Sequence, residues 1–493
     1  MEGSDAVRRT AVPGTVDLLV RHAYVITMDD EGRLIDDGAI AIVGRRILEV
    51  GEDAALARRY VAARTIDARG APVHPGLIEC HLHASFQTFR SVLPDRIPED
   101  EVFDAFERVF YNTVTDEEEY LGVLLASMEM IRNGTTCFME AGTVLEPSAA
   151  AQAAEVVGIR ALIGDAFIWD RPTGLAQGNE TPDQGPVRVR GAIDRSPRNL
   201  EEALQRLGHE LRRNADPDAL VTGHVAVLGL GTASEELLLE AKRQADAAGV
   251  VLNMHHAYSP ADTAADRVRY GKDPLIRLAE IGVLDRNVTL GHANHLTDAE
   301  CEVLIERDAS VAWAPAASMM WGHGGSFHGR HAELWRRGAN ISLGSDSANW
   351  SNSFDLFRQA NLAMLSAREA HGDRTYLMAE DVLGMATRGG AKAAGLQDRI
   401  GSIEAGKRAD LVIHTLNRPE MVPVTDMTRN LMYASGSKSV HTVIVDGKVV
   451  LEKGSFVALD EERLLAQVDE AGRILLRRMG HKVEPNRVQP RRR

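Results

Sequence analysis

The chain has 493 residues, 44% hydrophobic and 26% charged, a balance that excludes a fibrous or largely disordered protein. With 56 Lys and Arg against 71 Asp and Glu the formal charge is −15, which disfavours nucleic acid and anionic membrane as partners. No 18-residue uncharged apolar run and no signal-peptide pattern is present, so the expectation is a soluble, cytoplasmic protein.

The opening segment reads as short strands. TVDLLVRHAYVITMD, GAIAIVGRRILEVG and YVAARTIDARG are rich in Val and Ile and are separated by turn signals such as DDEG and GEDA. A β-unit of this size is marginal alone. From Pro75 the pattern changes: VHPGLIECHLH is a strand running into polar residues, and EEEYLGVLLASMEMIRNG is a long helix. Strands follow at TTCFMEAG, ALIGDAFIWD, VTGHVAVLG, VVLNMHHA, NVTLGHAN, SVAWAPA and ANISLGSDSA. Helical runs such as SEELLLEAKRQADAAG and TDAECEVLIERD lie between them. Strand and helix alternate eight times, which predicts a closed (β/α)₈ TIM barrel over residues 75–405.

After Ala405 the strands ADLVIHTLN and SVHTVIVDGKVVLEKGSF return, followed by the helix DEERLLAQVDEAGRILLRRMG. Residues 1–74 and 406–493 are therefore expected to form one composite β-sandwich domain with a C-terminal helix. A Gly/Pro/Arg-rich excursion is expected over 173–199, and KVEPNRVQPRRR reads as a basic tail. Cys80, Cys137 and Cys301 are far apart and odd in number, which excludes a Cys₄ zinc site or a disulfide scaffold.

Several of the 17 histidines sit at predicted strand ends. His81 and His83 are two apart on a strand, so their side chains share a face, as two imidazoles on one metal must. His255 and His256 are adjacent, so only one reaches a common centre. His292 ends the next strand, with His295 just beyond, and Asp346 ends a later one. In a barrel these C-terminal ends converge on one cavity. Imidazoles and a carboxylate meeting there make an N/O site for a divalent cation, zinc first, with Fe²⁺, Mn²⁺ or Co²⁺ also compatible.

PGLIECHLH resembles the PG-(hydrophobic)-x-x-H-x-H opening of the amidohydrolase superfamily, and LGSDSANWSNSFDLF resembles its LGTD segment. DVLGMATRGGAKAAGLQDRIGSIEAGKRADLVI is similar to the family's helix–turn–strand ending, and LMYASGSKSVHTVIVDGKVV to its returning small-domain strands. The likeness spans residues 15–470 and is closest to the branch of cytosine, adenosine-like and guanine deaminases and triazine hydrolases. It implies His81, His83, His255 and Asp346 as ligands of one metal ion. It also implies His292 as the residue holding the water or substrate oxygen, and Asp346 as the proton acceptor. The bridging Lys or Glu of binuclear relatives has no counterpart near VTGHVAVLG. A homodimer or larger homo-oligomer is implied as well.

Two positions depart from the family pattern. Tyr258 stands where the deaminases carry the glutamate of H-x-x-E, and WAPAASM puts Trp313 and Met319 where a histidine and an asparagine are usual. A tyrosine is a good hydrogen-bond donor but a poor proton shuttle at neutral pH. Phe86, Trp313, Met319, Trp321, His323 and Trp350, with Met320, Phe327 and His328 nearby, are expected to line an apolar substrate pocket. Glu140 and Tyr258 join His292 and Asp346 as candidate catalytic groups. The expected reaction is hydrolysis of a C–N bond in a small amide, urea or carbamate-like, aromatic substrate. The alternative is deamination or dechlorination of a purine, pterin, pyrimidine or triazine ring.

Overall fold

Short runs of Val, Ile and Leu, buried on both faces, build the wall of a parallel barrel. The computed structural model describes residues 14–95, 102, 106–171 and 195–481. The first three barrel strands are Leu77–His83, Thr135–Glu140 and Arg160–Ile163. The fourth is broken into Val221–Gly223 and Val225–Gly229. Leu252–His256, Val288–His292 and Ser310–Trp313 follow. The eighth is broken into Asn340–Leu343 and Asp346–Ser347. Neighbours pair in parallel, in two five-stranded sheets that the broken fourth and eighth strands connect. Asp346 pairs with Leu82 and Ser347 with His83, which closes the ring.

Helix starts follow their sequence signals. Thr115 and Glu118 form a capping box ahead of Asp116–Arg132, and Thr297 and Glu300 form another ahead of Asp298–Glu306. Ser234 caps Glu235–Ala248, which ends at Gly249 with φ of 64°. Among the described residues no helix is long and apolar enough to cross a membrane.

Both chain ends build one mixed sheet. Gly14–Ile26 pairs with Leu34–Val43 on one side and with Tyr60–Asp67 and Pro72–Pro75 on the other. Pro72–Pro75 pairs in turn with Leu411–His414, which leads to Val440–Val445 and Lys448–Glu452. Hydrogen bonding therefore runs through this composite unit of both termini, because Pro72–Pro75 is paired on both edges. Leu18, Val20, Ile40, Val73, Leu411 and Ile444 fill its own core. The GEDA turn signal instead opens the short helix Asp53–Arg59, whose buried Asp53 pairs with Arg21. The C-terminal helix Glu461–Arg478 lies on the first barrel helix, with Arg478 donating to Glu118 at 2.8 and 2.9 Å. The expected excursion falls largely outside the described residues, and the basic tail wholly so.

Candidate active site

At the C-terminal strand ends two overlapping groups, His81–His83–His255 and His81–His292–Asp346, each hold their ligand atoms within 4.8 Å of one another. Backbone shape makes this possible. Gly291 precedes His292, and a Cβ there would lie 2.7 Å from the His81 ring; a Cβ at Gly344 would lie 2.6 Å from that of His81. The glycines of LGH and LGSD thus let the neighbouring strand ends close on His81. His292 and Asp346 hold φ of 67° and 62°, in the left-handed region that costs side-chain-bearing residues about 1–3 kcal/mol. Two strained residues in one cluster mark it as a place where geometry is put ahead of local comfort.

The hydrogen bonds show what the cluster lacks. His255 donates its Nδ1–H to the Leu228 carbonyl. His83 Nδ1 lies 2.8 Å from Thr143 Oγ1, and that hydroxyl donates to Glu140 Oε1 at 2.7 Å, so His83 is the donor to Thr143. Burial pushes His255 down to about 4 and His83 well below its ordinary value, so both rings are neutral. Each has then spent its one N–H, and two Nε2 lone pairs face each other across 3.1 Å. Two nitrogens bound tetrahedrally to one ion at ~2.05 Å stand about 3.3 Å apart. His81 is fully buried with both ring nitrogens unpartnered. Burial, and then its imidazole neighbours, hold His81 well below the usual range, leaving a neutral ligand. Burial, with Glu107 and Glu79 nearby, pushes Asp346 up to about 8, so a carboxylate there calls for a cation beside it. This donor set fits one divalent metal ion.

Other expected residues take different places. His256 turns away from the centre, between Asp266 at 4.0 Å and Glu300 at 3.9 Å, as the strand alternation requires. Tyr258 joins a rim: its ring centroid is 6.0 Å from His292, 5.6 Å from His323 and 6.4 Å from Trp350. Trp321 lies 4.5 Å from Trp350. His295 donates Nε2–H to the His323 carbonyl and so steadies that rim.

Phe86 is not on it. The ring stacks on Phe110 at 4.6 Å and packs with Tyr111, in a cluster that Leu475 of the C-terminal helix and Met479 just after it complete. Trp313 is also core: 2% exposed, it stacks on His331 at 4.6 Å. His331 donates to the His292 carbonyl at 2.6 Å, so Trp313 reaches the site only through that backbone. Met319 and Met320 are exposed on the short helix Pro315–Trp321, and Phe327 is exposed beyond it. Glu140, expected as a candidate catalytic group, is fully buried and occupied by the Gly142 and Thr143 amides and the Thr143 hydroxyl. It braces His83 from behind.

Sequence reasoning missed Thr143, Glu79 and Glu107. Glu79 accepts from the amides of His81 at 3.2 Å and Ser345 at 2.8 Å, tying strand one to strand eight beneath the cluster. Its place in ECHLH, two before His81 on one strand face, was the available signal. Glu107 and Thr143 sit in no motif.

The sequence profile of the amidohydrolase family matches residues 73–450. A 5-methylthioadenosine/S-adenosylhomocysteine deaminase of Syntrophobacter fumaroxidans is 31% identical over 459 residues, covering 92% of this chain and 97% of that protein. A 5'-deoxyadenosine deaminase of Methanosarcina acetivorans is 30% identical over 470 residues, covering 94% and 99%. The crystal structure of an adenosine deaminase from Xanthomonas campestris with bound zinc superposes with a TM-score of 0.83 at 29% identity, covering 94% and 99%.

Proposed function

The chain belongs to the amidohydrolase family and is a metal-dependent hydrolase of carbon–nitrogen bonds, and from that premise we propose that it deaminates the aminopurine ring of an adenine nucleoside. The carrying observation is its end-to-end similarity to deaminases of adenine nucleosides, over 92–94% of the chain. Ring deamination, the alternative weighed from sequence, has better support than the amide, urea or carbamate hydrolysis that Tyr258 suggested.

His81, His83, His255 and Asp346 would hold the cation, with Thr143 and Leu228 aiming two of the imidazoles. A divalent cation there, zinc as in the Xanthomonas protein, supplies Lewis acidity that lets a water lose its proton near neutral pH. Asp346 accepts that proton on the side facing His83 and His292, at 3.5 and 3.9 Å. His292 is held neutral by burial and orients the incoming oxygen. The Trp350, Trp321, Tyr258 and His323 rim gives a flat ring stacking surfaces and a phenol donor.

The test is ammonia release from adenosine, 5'-deoxyadenosine, 5'-methylthioadenosine and S-adenosylhomocysteine, set against N-aryl ureas, amides and carbamates. Turnover of at least one nucleoside with loss of its adenine absorbance is expected. Turnover of the ureas or carbamates alone would return the protein to the first expectation.

A further inference from the structure

Two imidazoles of the cluster are aimed through their rings, His83 by Thr143 and His255 by the Leu228 carbonyl. His292 has no such tie. Among the described residues neither of its ring nitrogens makes a hydrogen bond, and Asp346 Oδ2 stands off its Nε2 at 3.9 Å. Its aim has to come from the main chain, and the main chain there is strained, with φ of 67° at His292 and 51° at Ala293. Two successive side-chain-bearing residues in the left-handed region persist only where their surroundings over-determine them.

Part of that support comes from strand five: the Ala293 amide donates to the His256 carbonyl, and the Asn294 amide to that of Ala257. The other part comes from a side chain. Pairing with strand seven ends at Gly291 and Ala312, so the His292 carbonyl lies past the ladder. It accepts from His331 Nε2 at 2.6 Å. A carbonyl cannot donate, so the imidazole carries its proton on Nε2. His331 is 1% exposed and sits in a slot. Trp313 lies flat against it with the ring planes 1° apart, and a Cβ at Gly329 would come within 2.7 Å of its Nδ1. That Nδ1 is buried with no partner among the described residues, so the bond to His292 is the one polar contact that holds the ring. Trp313, a departure from the family pattern in WAPAASM, is thereby the platform for this donor.

We propose that His331 is a positioning residue for the hydrolysis. Its Nε2–H fixes the strained His292 backbone, and through it the direction in which the His292 ring meets the incoming oxygen. His331 acts through His292 alone. This rests on His292 orienting the oxygen, as in the deaminase reading above, and holds for whichever C–N bond is cut.

The experiment sets His331→Phe, His331→Asn and His331→Gln beside the zinc-loaded full-length parent, on whichever nucleoside, urea, amide or carbamate the parent turns over. Phenylalanine keeps a ring on Trp313 and removes the donor, asparagine withdraws the donor by one carbon, and glutamine keeps it near the reach of Nε2. In the phenylalanine variant kcat should fall about 10²-fold with KM within about threefold, as for a group displaced and not removed. Zinc affinity should stay as in the parent, since His81, His83, His255 and Asp346 keep their places. Asparagine should match phenylalanine, and glutamine should recover at least about tenfold in kcat. A phenylalanine variant with kcat within about threefold of the parent overturns the proposal. So does a zinc affinity that falls with kcat in every variant, which would mark a role in the fold or the metal shell. If phenylalanine yields no folded protein, glutamine against asparagine decides, and equal kcat values overturn the proposal. A parent that turns over ureas, amides or carbamates but no nucleoside sinks the deaminase reading, and the order of the His331 variants is then read on that substrate.

Discussion

Two pairs of histidines face each other through Nε2 atoms at nearly the same distance, and they do opposite things. His83 and His255 meet at 3.1 Å in the candidate site; His74 and His414 meet at 2.9 Å where the barrel joins the terminal sheet. In the site both Nδ1 atoms donate, to Thr143 and to the Leu228 carbonyl, so both facing nitrogens are lone pairs. At the seam His74 Nδ1 donates to the Pro75 carbonyl, while His414 Nδ1 lies 2.7 Å from Ser439 Oγ and accepts that hydroxyl. His414 Nε2 then carries the ring's proton and donates it to His74, a complete hydrogen-bond chain. Residue type and spacing match; the partner of the far nitrogen decides which pair needs a cation.

Breaking the first pair has the largest expected effect. His255→Ala or chelation should abolish activity, with zinc stoichiometry measured by atomic emission falling in parallel and zinc restoring the chelated parent but not the variant. Thr143→Ala is milder: His83 keeps its ring but loses the oxygen that aims it. Zinc affinity should fall about 10–100-fold, with most of kcat recovered at saturating zinc. An unchanged zinc affinity would remove Thr143 from its assigned role.

His414→Phe is the smallest change for function and falls on stability alone. It leaves the His74 Nε2 acceptor buried without a donor, a cost of about 1–3 kcal/mol in urea unfolding, with zinc content and kcat as in the parent. The same pair gives a pH signature. Burial holds His74 down to about 4, whereas an unfolded histidine takes a proton below about 6.5. The unfolded chain binds more protons in that window, so this contribution to stability is lost as pH falls from about 6.5 towards 4. The slope of melting temperature against pH should flatten in a His74→Phe, His414→Phe double variant.

The barrel and the ligand cluster were legible because each rests on a local rule. Apolar runs alternating with capped helices specify strand and helix, period two puts His81 and His83 on one face and splits His255 from His256, and barrel closure brings strand ends together. The aromatic residues followed no such rule. Phe86 and Trp313 look like pocket residues in sequence, yet one packs under the C-terminal helix and the other against His331. A loop ring can turn inward or outward, and packing across distant segments chooses.

The sequence alone therefore names the candidate cation ligands, since spacing and side-chain chemistry are properties of short segments. Its −15 charge pointed only away from nucleic acid as a partner. Folding settles what each residue faces. Thr143 beside His83, Glu107 beside Trp350, and the hydrogen-bond partners that separate a metal-binding histidine pair from a structural one are contacts between segments far apart in the chain. No local pattern carries them.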